Sequence, residues 1–134
     1  MANEYKGVSA IIPVVCFKDT GAFANPAVDI ELPPAGAATG RVYMAFSGAI
    51  VGLAGHTTGG KAVTIKVYKN GAAVVGASVA IPAAANNHGY ARFMPALYAV
   101  AADDYISAAV IGVAAEDPGD VTVVVYTQVG QSQT

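Results

Sequence analysis

KAVTIKVYKNGAAVVGASVAI, Lys61 to Ile81, is the stretch whose reading decides the fold. Val63, Ile65 and Val67 alternate with Thr64, Lys66 and Tyr68. That period of two puts apolar side chains on one face of a strand and polar or amphipathic ones on the other. Lys69-Asn70-Gly71 then interrupts the run. Asn-Gly signals a tight hairpin, because both residues tolerate the positive φ of the favoured two-residue turns. Val74 to Ile81 returns from the turn, and Pro82 ends it. A β-hairpin is predicted.

Toward the N-terminus, Val8 to Phe17 (VSAIIPVVCF) is a continuous, β-branched-rich run suited to a strand, and Pro13 within it calls for an edge position or a bulge. A loop over Lys18 to Pro26 precedes a short strand in which Val28, Ile30 and Leu32 alternate with Asp29 and Glu31. Pro33 to Gly40 reads as a turn or crossover. Arg41 to Leu53 reads as one strand, with Val42, Met44 and Phe46 on one face, Tyr43 on the other, and Gly48 and Gly52 as places to bend. Gly55 to Gly60 reads as a glycine-rich loop.

Toward the C-terminus, the AAANNHG segment after Pro82 reads as another loop, and Tyr90 to Met94 as a strand. In Pro95 to Asp104, Leu97, Val100 and Ala101 have helical spacing over about one turn. Strands over Tyr105 to Val113 and Val121 to Val129 flank a polar turn at Glu116 to Asp120. Residues 1–7 form a polar arm, 8–130 a single domain and 131–134 a polar tail. About eight strands with closely spaced turn signals and no long helix predict an all-β protein, an antiparallel β-sandwich of the jelly-roll kind. A repeat of fixed period is absent, which argues against a propeller or solenoid.

With 134 residues the chain is long enough to bury a core without staples. Hydrophobic residues make up 54% and charged residues 12%, roughly half of the ~25% usual in proteins. So few charges leave a surface that is either Ala- and Gly-rich and neutral or covered by partner subunits, and apolar exposed patches usually mark contacts. The net charge of −2 and the lack of a basic cluster argue against nucleic-acid binding. The lone Cys16, among Val14, Val15 and Phe17, reads as a small packing hydrophobe. A signal-peptide pattern and an apolar run of membrane-spanning length are both missing, so the expectation is a protein without membrane association, made and assembled in a cytoplasm.

The chemistry-bearing residues are sparse. Gly55 to Lys61 (GHTTGGK) formally matches part of a phosphate-binding loop, but Ala62 replaces the magnesium-binding hydroxyl, and a strand rather than a helix follows. His56 and His88, each beside a glycine and far apart in sequence, read as solvated loop residues rather than metal ligands. Asp103 and Asp104, and Glu116, Asp117 and Asp120, could supply oxygens to calcium but fit ordinary turns better. A nucleophile elbow is lacking, and with no Trp a sugar-cleaving carboxylate pair has no usual platform. The expectation is a protein that is not an enzyme and holds no cofactor or metal. Tyrosine suits interfaces, and the candidate contact residues are Tyr68 and Tyr126, each opposite its strand's aliphatic stripe, with Tyr43, and with Arg41 and Arg92 at the rim.

The succession RVYMAFSGAI, KAVTIKVYKNG, Asp104-Tyr105-Ile106 and VTVVVYTQVG, spanning Thr39 to Gly130, resembles the jelly roll of tumour necrosis factor and the complement-type globular heads. Asp103 stands where that family has a glycine before the aspartate. The resemblance implies three-fold assembly. In size and kind the chain also resembles the decoration, or cement, proteins of tailed bacteriophage heads. That implies a virion structural protein bound outside the capsid, with the major capsid protein as partner and a homo-oligomer, trimer or dimer, as its form. The alternative is a receptor- or carbohydrate-binding head of a trimeric fibre or surface protein.

Overall fold

The computed structural model describes residues 9–19, 30–32, 41–95, 97–112 and 120–130. They form β1 (Ser9–Asp19), β2 (Ile30–Leu32), β3 (Val42–Tyr43), β4 (Gly48–Gly59), β5 (Val63–Lys69), β6 (Ala72–Ile81), β7 (Ala85–Arg92), β8 (Ala99–Val100), β9 (Tyr105–Gly112) and β10 (Val121–Gly130). One sheet runs β1-β10-β4-β7, with β8 also on β4; the second runs β2-β9-β5-β6, with β3 also on β9. Every strand pairing among the described residues is antiparallel. The chain changes sheet at every connection except β2–β3, β5–β6 and β7–β8. The two four-strand paths, β1-β10-β4-β7 and β2-β9-β5-β6, make the predicted jelly-roll sandwich. Among the described residues the strands number ten rather than about eight, because β3 and β8 are two-residue ladders too short to leave a pattern in sequence.

The core lies between the sheets and is built from the alternation read in the hairpin. Val63, Ile65 and Val67 are buried, and they meet Leu53, Ile81, Ile106, Val110, Val123 and Val125. Each such side chain contributes roughly 1.5–3 kcal/mol on leaving water. Asn70 and Gly71 close the hairpin with φ of 52° and 83°, the left-handed pair that the turn needs. β1 takes an edge position, as Pro13 required, and its register against β10 shifts between Val15 and Phe17, so a bulge falls at Cys16.

Four expectations are corrected. Arg41 to Leu53 is not one strand: it splits into β3 and β4, which join different sheets. Met44 is buried but Phe46 is exposed, because the chain bends between the two sheets there and the period of two is lost. Gly55 to Gly59 and Ala85 to Gly89 are not loops but parts of β4 and β7, paired in unbroken register. The helical spacing at Pro95 to Asp104 belongs to two turns around β8, closed by Leu97 N–H donating to Met94 O at 3.0 Å and Asp104 N–H donating to Ala101 O at 3.1 Å. Leu97 and Ala101 are exposed while Val100 is buried, so the three share no face. The arm at 1–7, the tail at 131–134 and the crossover at 33–40 lie outside the described residues.

Candidate functional site

Strand alternation sets which side chains leave the sandwich. On β10, Val121, Val123, Val125 and Thr127 are buried, so Thr122, Val124, Tyr126 and Gln128 point outward. Tyr126 stands opposite Gly52 on β4, and Gly52 stands opposite Arg92 on β7. The glycine leaves a trough between the two large side chains. A Cβ there would already lie 3.3 Å from Tyr126 Cβ and Cδ2. The trough widens into a groove of about 560 Å³ lined among others by Ile11, Tyr90, Arg92, Phe93 and Tyr126. Ile11 and Tyr90 are 63% and 66% exposed, and Met94 and Leu97, which follow β7 in the chain, are exposed as well. Phe93 is partly buried and meets Tyr98 edge-on, with ring centroids 5.1 Å apart, which anchors that end of the groove to the core.

The other candidates lie on the second sheet. Tyr43 pairs with Tyr105 across β3 and β9, their ring centroids 5.6 Å apart. Arg41 Cζ sits 4.5 Å from the centre of the Tyr105 ring, a cation–π geometry. Tyr68, half-buried, stands opposite Ser107 two residues along β9 from Tyr105, hence on the same outward face. Tyr126 and Arg92 therefore share one face of the sandwich, and Tyr43, Tyr68 and Arg41 belong to the opposite one. The sequence reading missed Ile11, Gly52 and Tyr90 as parts of the groove. Tyr90 was within reach, because His88, Tyr90 and Arg92 fall on one face by period two once β7 is known to be a strand.

The remaining sequence motifs resolve structurally. GHTTGGK runs along β4 and into the turn before β5, so the helix N-terminus that a phosphate loop needs is replaced by a strand. His56 and His88 are not loop residues; they face each other across β4 and β7. Asp104 has both carboxylate oxygens engaged: Oδ1 accepts from Asn70 Nδ2 and Oδ2 from the Ala101 N–H, each at 2.8 Å. The Ala101 N–H and then Asn70 hold its pKa below the usual carboxylate value; desolvation opposes them, and the charge of Lys69 adds the smallest lowering effect. Asp103 has a φ of 75°, a left-handed backbone conformation that glycine adopts more freely than aspartate. Asp120 is tied to the end of β4: its N–H donates to Thr58 Oγ1 at 2.8 Å and its carbonyl accepts from the Thr58 N–H at 3.1 Å. Glu116 and Asp117 lie outside the described residues. No helix of the described residues is long and apolar enough to cross a membrane.

No family model and no curated protein sequence matches this chain. Among solved structures it is similar to a chain in the virus-like particle of the giant freshwater prawn Macrobrachium rosenbergii extra small virus, at 13% identity and a TM-score of 0.44. The match covers 94% of this chain and 82% of that one. At that TM-score the likeness is one of general form and identifies no family.

Proposed function

We propose that this protein is a virion structural protein, a decoration protein that binds the outside of a phage capsid and stabilises the seams between major capsid subunits. The observation that carries the reading is the outward face of the β1-β10-β4-β7 sheet, where Ile11, Tyr90 and Tyr126 line an apolar groove beside Arg92. A chain with 12% charged residues that exposes such a face is suited to bury it against a protein surface. The described residues build a stiff sandwich whose buried interior is almost wholly aliphatic, which suits a clamp that performs no chemistry, and we read the protein as a non-enzyme. A homo-oligomer, dimer or trimer, fits the same surface. The test is cosedimentation of the purified protein with intact capsids, alongside its native mass. Binding that saturates at a fixed ratio to capsid subunits supports the reading; a stable monomer that stays in the supernatant overturns it.

Tyr90 and Tyr126 beside Arg92 and Gln128 also favour a second reading, a carbohydrate- or receptor-binding head, since aromatic faces with a few converging polar groups suit small polar ligands. Glycan-array binding that is lost on Tyr126→Ala, without capsid binding, would select it.

A further inference from the structure

We infer that His56 and His88 form a two-imidazole site on the outer face of the β1-β10-β4-β7 sheet for a borderline-soft divalent cation such as Ni(II), Zn(II) or Cu(II). The two residues are direct cross-strand partners in an antiparallel ladder whose register runs unbroken from Gly52↔Arg92 to Gly59↔Ala85. Directly opposed residues have Cβ atoms about 4.5–5.5 Å apart and project from the same face. Both side chains are exposed.

Their direction is fixed by their neighbours. Gly55 and Gly89 are also paired, one step along the ladder, and they face the interior. There a Cβ on Gly55 would come within 2.6 Å of Ile65 Cδ1, and one on Gly89 within 3.1 Å of Ala80 O. The core holds these two positions inward, so alternation holds both imidazoles outward.

Neutral imidazole is a favoured ligand of these three ions, whereas Mg(II) and Ca(II) prefer oxygen. Thr122 stands opposite His56 on β10, and Ala54 and Tyr90 are the next outward pair along the ladder. Arg92 lies four residues from His88, leaving room for a cation. Asp120 lies two residues from Thr122 on the other side. Among the described residues no third His, Cys, Asp or Glu joins the pair. Water therefore completes the coordination shell, and the site is exchangeable rather than a closed structural one. A bound ion would tie the edge strand β7 to β4 and raise the unfolding temperature, because it binds only the folded register. The inference rests on this register alone and is independent of the capsid reading.

Titration calorimetry of tag-free protein with NiCl2 and ZnCl2, with the thermal midpoint measured in parallel, tests it. The expected result is one ion per chain and a rise in midpoint that EDTA reverses, with no response to MgCl2. Loss of both effects is expected in His56→Gln and in His88→Gln, whose midpoints without metal should match the parent because both positions are exposed. The Cu(II) paramagnetic resonance spectrum should show two coupled imidazole nitrogens. Absence of binding by the parent protein, or binding retained in either variant, overturns the inference.

Discussion

Thr57 is fully buried on β4, and its Oγ1 has no hydrogen-bond partner among the described residues. A buried hydroxyl without a partner is a standing cost. Thr57→Val should therefore stabilise the fold by about 1 kcal/mol; a lower midpoint in urea would show that the hydroxyl has a structural use. Gly89 presents the reverse situation. Its missing Cβ is the space that Val79 Cγ1 and Ala80 O occupy at 3.0 and 3.1 Å, and the carbonyl belongs to a paired strand that cannot give way. Gly89→Ala should cost about 1–3 kcal/mol as overpacking, read by the same denaturation. At Asp104 the folded-state pKa is lowered, chiefly by the Ala101 N–H and then by Asn70. A carboxyl with a depressed folded pKa contributes stability above its unfolded pKa, about 3.9, and that stability is lost as pH falls through the folded value. The stability difference between parent and Asp104→Ala should thus be full at neutral pH and shrink below about pH 4. A difference that is flat from pH 7 to pH 3 would separate the turn's stability from that charge.

The β5–β6 hairpin is more than a local turn. Asn70 N–H donates to Tyr105 O at 2.9 Å, and Asn70 Oδ1 accepts from the Tyr105 N–H at 3.0 Å, so the turn is clamped to the start of β9. Gly71, at φ 83°, sits beside it with Tyr105 Oη 3.0 Å from where a Cβ would be. Gly71→Ala should cost roughly 1–2 kcal/mol, the penalty for a side chain in the left-handed region, and hydrogen exchange should speed up at both β5–β6 and the β9 start. Acceleration confined to the hairpin would mean that the clamp does not couple them. The hairpin and the alternation of β10 were legible in sequence because β5 and β10 each have one buried face and one partly exposed face. β9 is buried on both faces from Ile106 to Val110 and was legible as an apolar run. β7 was not: ANNHGYAR carries no apolar stripe, since the interior demands Gly89 where a packing side chain would have marked the strand. β4 was cut short in the reading for the same reason at Gly55.

For the molecule as a whole, Tyr126 and Arg92 meet across Gly52 while Tyr43, Tyr68 and Arg41 occupy the opposite face. If the groove is the contact surface, Tyr90→Glu should leave the midpoint of the isolated chain within about 0.5 kcal/mol, as exposed substitutions do. It should also abolish capsid binding or self-association in sedimentation. Tyr43→Glu, on the other face, should leave association intact; the reverse outcome would move the contact to the second sheet.

The sequence by itself determined the class of fold, the hairpin and its turn, the restriction of the Pro13 strand to an edge position or a bulge, and the aliphatic stripes of the core. Each of these follows from local chemistry: period-two alternation, the positive φ of Asn70-Gly71, and the donor that Pro13 lacks. Only the tertiary structure decided which stripes share a face, that the Arg41 to Leu53 run divides between two sheets, and that two histidines 32 positions apart stand opposite one another. Pairing between distant strands depends on how the sheets press together. At Gly55 and Gly89 it is that pressure, from Ile65, Val79 and Ile81, that turns two apparent loops into strands.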